Sequence, residues 1–263
     1  MRALPQFALV ALLAAGAPAV AQQLEPEQSG VLEQARESAL RYSASLPDFI
    51  CTELIRRSQD PQGNGRWRTL DTLTIKLSYS GHREDYKLML INGKPTSEEF
   101  LNVGGALSTG EFGTRLYSIF DPRSHAEFQW KGRNTLRKRR VARFAYHIAR
   151  ENSIFRIQFG NVAGTGNSII VPYHGELEVD EETHMTLRLT QQAEIPLGFP
   201  IQVNDSTVDY EFAAVGGRQY LLPWRAYIKT RSGRYISENN VEFREYRKFQ
   251  TEANITFDPP QDK

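Results

Sequence analysis

The chain has 263 residues, with 32 basic and 31 acidic side chains and a hydrophobic share of 40%. Near-neutral charge argues against a global attraction to nucleic acid. Cys51 is the only cysteine, which excludes an internal disulfide, so stability has to come from a core that a chain of this length can build.

Met1-Arg2 and the apolar run over residues 3–20 have the order of a secretory signal, too small and alanine-rich for a secure membrane span. Ala19-Val20-Ala21 supplies small residues where signal peptidase needs them, so a cut is expected after Ala21. Gln22 stands where a lipoprotein would carry its acylated cysteine. The expectation is a periplasmic or secreted protein, with residues 1–21 removed and residues 22–263 forming one β-rich domain. Losing Arg2 lowers the basic count from 32 to 31, equal to the 31 acids. No later apolar stretch reaches membrane-spanning length.

Pro26 suits a first helical turn, and Val31, Ala35, Ala39, Tyr42 and Leu46 recur at helical spacing until Pro47 stops the helix. From Phe49 the period becomes two. Leu73, Ile75, Leu77 and Tyr79 alternate with Thr72, Thr74, Lys76 and Ser78, and Tyr86, Leu88 and Leu90 run into the hairpin signal Asn92-Gly93. After a loop, Ser108 or Thr109 is placed as the cap of a second helix over residues 108–120, with Glu111 in its first turn and Phe112, Leu116, Ile119 and Phe120 on its apolar face. Strands follow over 127–130, 141–149, 154–159, 169–180, 184–193, 202–213, 219–230 and, in two pieces, 235–257, separated by turn residues. The fold class is therefore mainly β (α+β): a strongly curved antiparallel sheet or half-open barrel of about 10 to 11 strands with an N-terminal and a second helix.

Gly175-Glu176-Leu177-Glu178-Val179-Asp180 leading to Leu187-Arg188-Leu189, then Val208-Asp209-Tyr210-Glu211-Phe212, then Val215-Gly216-Gly217 with Leu222-Pro223, resembles the bacterial lipoprotein-carrier superfamily of the LolA, LolB and LppX type. Residues 42–57 and 231–249 also resemble a group of uncharacterised bacterial exported proteins, which carries no function. The first resemblance implies a concave apolar sheet, covered by helices, that holds acyl chains or another hydrophobic ligand. The missing acylated cysteine makes the chain more like the soluble carrier than the anchored acceptors.

Catalytic motifs are sparse. A Gly-x-Ser-x-Gly elbow does not occur, since Ala106 precedes Ser108 by two, and Gly160, Gly164 and Gly166 lack the context of a phosphate loop. His82, His125, His147, His174 and His184 form no local chelating pair, although distant ones can converge. Cys51 shares its strand parity with Phe49 and Ile55 and reads as a packing thiol. Asp180, Glu181 and Glu182 read as a solvated hairpin tip. Lys131, Arg133, Arg137, Lys138, Arg139, Arg140 and Arg143 form an acid-free basic run, expected to project as a hairpin beyond the packed sheet.

The sequence thus favours a non-catalytic envelope protein that takes no cofactor or metal and binds a lipid or lipoprotein. The expected lining is Leu73, Ile75, Leu77, Leu88, Leu187, Leu189, Trp224 and Ile228, with Phe112 and Leu116 as lid residues. The same residues also suit a plain core. Arg133, Arg137, Lys138, Arg139, Arg140 and Arg143 are the candidate dock for phosphate-bearing headgroups or an acidic envelope partner, with a solvated tip as the bland alternative. An exported protein–protein interaction module is the second expectation, and a hydrolase assembled from non-adjacent residues the third.

Overall fold

A computed structural model describes residues 24–81, 83–107, 110–159 and 167–249. The expected signal segment and its cut, the cap at Ser108 or Thr109, His82, the Gly160 to Gly166 loop and the end of the final strand region lie outside the described residues.

Helix α1 (Pro26–Ser45) starts with proline at its first turn and a capping box in which the Glu25 N–H donates to Gln28 Oε1 at 3.1 Å. It ends where Leu46, preceding Pro47, turns extended. The stripe Leu32, Ala35, Ala39, Tyr42 and Leu46 is buried. Its small residues let the helix lie close to the sheet.

The strands in chain order are β1 (Phe49–Asp60), β2 (Arg68–Ser80), β3 (Arg83–Ile91), β4 (Lys94–Pro95), β5 (Glu127–Leu136), β6 (Arg139–Ile148), β7 (Arg156–Phe159), β8 (Asn167–Ile170), β9 (Tyr173–Asp180), β10 (Thr186–Ala193), β11 (Val203–Val215), β12 (Arg218–Ser232) and β13 (Tyr235–Lys248). Eleven of them form one sheet in the order β4-β3-β2-β1-β13-β12-β11-β10-β9-β6-β5, while β7 and β8 pair separately. The sheet is antiparallel throughout and not closed into a barrel. Two meanders are zipped along the middle by β1 and β13, with Phe49 opposite Lys248 and Asp60 opposite Ile236.

Asn92 and Gly93 make the β3–β4 turn with φ of 52° and 75°, as their residue types predict. At Gly175 on β9, a Cβ would sit 1.9 Å from the Thr190 carbonyl oxygen and 2.9 Å from the Tyr146 hydroxyl. Only glycine admits the bond by which Tyr146 of β6 donates to that carbonyl at 2.8 Å.

Because β4 and β5 occupy opposite edges, residues 96–126 must carry the chain across the whole face. Ten strand spacings amount to about 48 Å along the sheet. Helix α2 (Thr114–Phe120) lies in this crossover and packs on α1. It is shorter than the helix expected over 108–120. Gly110 and Gly113 have φ of 88° and 111°, left-handed values that cannot extend a right-handed helix, so residues 111–113 form a turn instead.

The other corrections concern the second half. Strand β5 continues through the basic run to Leu136, the region 169–180 divides into β8 and β9, and β13 is one unbroken strand to Lys248.

Candidate functional site

The parity of each strand sends one set of side chains beneath α1 and the crossover. Leu73, Ile75, Leu77, Leu88, Leu187, Leu189 and Ile228 from the strands, with Phe112 and Leu116 from the crossover, are all buried, none more than 4% exposed. Each such side chain contributes about 1.5–3 kcal/mol by leaving water. Phe112 is the keystone. Its ring lies 5.2 Å from Phe49, 5.4 Å from Phe243 and 6.3 Å from both Tyr79 and Tyr246. Trp224 departs from the expected set: it is half-buried and outside this layer, with Arg137 and Arg225 stacked 5.5 and 4.1 Å from its ring. Trp224 is the extra residue of a bulge in β12: Asp209 faces Arg225 and Tyr210 faces Pro223, so Trp224 has no partner across β11.

Polar ties hold the crossover down. Arg57 forms a two-pronged pair with Asp71 (2.6 Å each) and donates to the Gly104 carbonyl, while Asn239 donates to the Ala106 carbonyl at 2.6 Å. The Tyr210 hydroxyl donates to the Glu111 carbonyl at 3.1 Å, and Arg115 bridges Ser206 (2.8 Å) and Glu111 (3.1 Å). Glu84 accepts the Gly110 and Phe112 N–H groups at 2.9 and 3.2 Å and the Tyr86 hydroxyl.

These ties surround a group of acids that the sequence reading missed. Glu53 of β1 and Glu111 of the crossover are each 2% exposed, and Glu84 of β3 is half-buried beside them. Glu53 Oε2 is buried without a hydrogen-bond partner. Burial first, then the neighbouring Glu111 and Glu84, push the Glu53 carboxyl well above the usual carboxylate range. Burial and Glu111 raise Glu84 too, against the opposing bonds from Tyr86, Gly110 and Phe112. The signal was present in the alternation: Glu53 falls on the parity of Phe49, Cys51 and Ile55, and Glu84 on that of Tyr86 and Leu88. Cys51 itself is buried, and burial followed by Glu53 drives its thiol pKa far up, so it packs as a neutral thiol.

The opposite face carries a groove of about 760 Å³ across β5, β6 and β9 to β12, lined by cross-strand polar pairs such as His147 with His174 and Thr190 with Thr207. Sequence spacing could not pair these histidines. Glu194 sits between them, 3.4 Å from His147 Nε2 and 2.9 Å from His174 Nδ1. No group of three or more potential ligands able to hold a metal occurs among the described residues.

The basic run folds back instead of projecting. Arg137 pairs with Asp209 (2.9 Å) and donates to the carbonyls of Leu187 and Tyr210. Arg139 pairs with Asp180 and Glu182, Arg133 with Glu27 and Glu181, Arg140 with Glu181, and Arg143 with Glu176. Lys138 is exposed at the turn. Asp180 is likewise not the solvated tip expected: it is 1% exposed and accepts from Arg139 and Thr183. Acids distant in sequence but adjacent in the sheet answer the basic run's charge.

The fold and site define an open antiparallel sheet whose inner face is covered by α1 and by a crossover running from one edge to the other. No family model and no curated protein matches the chain. Among solved structures it is similar to a LolA superfamily protein from Nitrosomonas europaea, at 10% identity over 88% of this chain and 97% of that one, with a TM-score of 0.39. A DUF1329 family protein from Desulfovibrio piger matches at 8% identity over 86% and 94%, TM-score 0.38. An outer membrane lipoprotein-sorting protein domain from Vibrio parahaemolyticus matches at 10% over 86% and 93%, TM-score 0.40.

Proposed function

We propose that this is a non-catalytic protein of the cell envelope, exported by its N-terminal segment, that binds an acyl chain or the lipidated end of a lipoprotein between the inner sheet face and the crossover. One observation carries the reading: the inner face is sealed by a glycine-punctuated segment that crosses it from edge to edge, and Gly104, Gly105, Gly110 and Gly113 all hold left-handed φ values. Such a segment can lift on its glycines and expose Leu73, Ile75, Leu77, Leu88, Leu187, Leu189 and Ile228 without unpairing a strand. An apolar chain would replace the contacts of Phe112 and Leu116. The ion pairs of Arg133, Arg137, Arg139, Arg140 and Arg143 leave Lys138 as the exposed cation of the turn for headgroup contact.

Native mass spectrometry after mild purification tests the reading, and bound lipid mass is expected. A homogeneous apo mass, unchanged on lipid addition, overturns it. The tight packing of the inner layer favours a second reading, an interaction module that uses the opposite face. Slow, ligand-independent hydrogen exchange through residues 114–120 is the result that reading expects.

A further inference from the structure

We propose that the acids buried under the crossover form the head-group pocket of the ligand site, and that the ligand is an amphiphile carrying a primary ammonium. This rests on the hydrophobic-ligand reading above and narrows its ligand class.

Three carboxyls, Glu53, Glu84 and Glu111, from β1, β3 and the crossover, lie close enough in the inner layer that Glu111 raises the pKa of the other two and Glu84 that of Glu53, with Arg115 paired to Glu111 at 3.1 Å. The other titratable groups turned toward them are Cys51 on the same strand, Tyr79 on β2, Tyr86 on β3, Tyr42 on α1, Tyr210 on β11 and Tyr246 on β13. Glu84 and Glu111 have partners. Glu53 is 2% exposed, and its Oε2 faces the group with no donor. Burying an acceptor unsatisfied is costly. What the place lacks is a donor bearing positive charge.

An ammonium supplies three donors and the charge that ionised Glu53 needs. The aromatic rings of Tyr86, Tyr210, Tyr246 and Phe112 around it suit a cation as well. The apolar strand residues beside the acids, Ile75, Leu77 and Leu88, give the alkyl tail its bed. An anionic head would instead meet three acids for one arginine, so the site discriminates by charge.

Isothermal titration of the intact protein with dodecylammonium, dodecanol and dodecanoate below their micellar concentrations tests this. Dodecylammonium is expected to bind at least about tenfold more tightly than either. Glu53→Gln should erase that preference, the dodecylammonium and dodecanol affinities of the variant coming within about twofold of each other. Binding should also release a proton as Glu53 ionises, seen in the wild type as a heat that varies with buffer ionisation enthalpy, a readout that does not depend on the variant folding. Equal affinities, a preference for dodecanoate, or a buffer-independent heat overturns the head-group assignment and leaves the hydrophobic-ligand reading standing. Binding of none of the three overturns both.

Discussion

At the scale of residues, the buried glutamate ties stability to pH in a direction opposite to that of most carboxylates. Its folded pKa is raised, so the stability it contributes is complete below the ordinary glutamate value of 4.5 and is lost as pH climbs through the raised one. The wild type should therefore lose stability from Glu53 between pH 5 and pH 8. In Glu53→Gln that loss should shrink by about 1 kcal/mol or more, one pKa unit being worth about 1.4 kcal/mol, as measured by urea denaturation at the two pH values. Gly175 gives a test without titration. Gly175→Ala drives a methyl into a backbone carbonyl, and a cost at or above about 3 kcal/mol is expected, since overpacking with a backbone obstacle exceeds the usual range. A melting temperature within a few degrees of the wild type, for a domain of this size about 1 kcal/mol, would contradict the close approach described here.

At the scale of elements, the β5–β6 hairpin is held by charge. Burial alone would raise the Asp180 carboxyl, but the bonds from Arg139 and Thr183 outweigh it and bring the value below the ordinary 3.8. A lowered pKa contributes stability above the unfolded value that disappears as pH falls through the folded one. Asp180→Asn should cost about 1–3 kcal/mol at neutral pH, the usual size for bonds to a charged group, and progressively less under acid. The same cost at pH 7 and well below the ordinary aspartate range would show that packing, not charge, holds the hairpin.

This hairpin also marks where sequence reading stops. Period-two alternation located β2, β3, β9 and β10 and the face each one buries, because parity is a local property of a strand. The basic run misled because the answering acids, Asp180, Glu181 and Asp209, become neighbours only through strand order. Apolar spacing alone predicts a longer α2, because it does not register the left-handed backbone that Gly110 and Gly113 adopt. Nine of the ten candidate ligand residues share one buried layer, seven of them legible from strand parity and Phe112 and Leu116 from apolar spacing in the crossover. Glu53, Glu84 and Glu111 are not legible as a group, because they sit on three elements, β1, β3 and the crossover, that only the fold brings together.

At the scale of the molecule, the central pairing of β1 with β13 joins two meanders that, among the described residues, pair along no other strands. Deleting residues 235–248 would leave β1 and β12 as long, unblunted edges in the middle of the sheet, and loss of soluble protein is expected on fractionating an expressing culture. A soluble, cooperatively folded truncate would mean that each half holds itself together.

That pairing also sets an order of events. The first strand in chain order finds its second neighbour only in the last described one, across nearly the full described length, so the loop to be closed is very long. A polypeptide delivered from its N-terminus through a narrow passage would keep an unfinished sheet until residue 248 had come through. Until then the apolar layer has no complete home and remains open to whatever binds it, whether a holding factor or another unfinished copy. Under such delivery, completion of the sheet would wait for the arrival of β13.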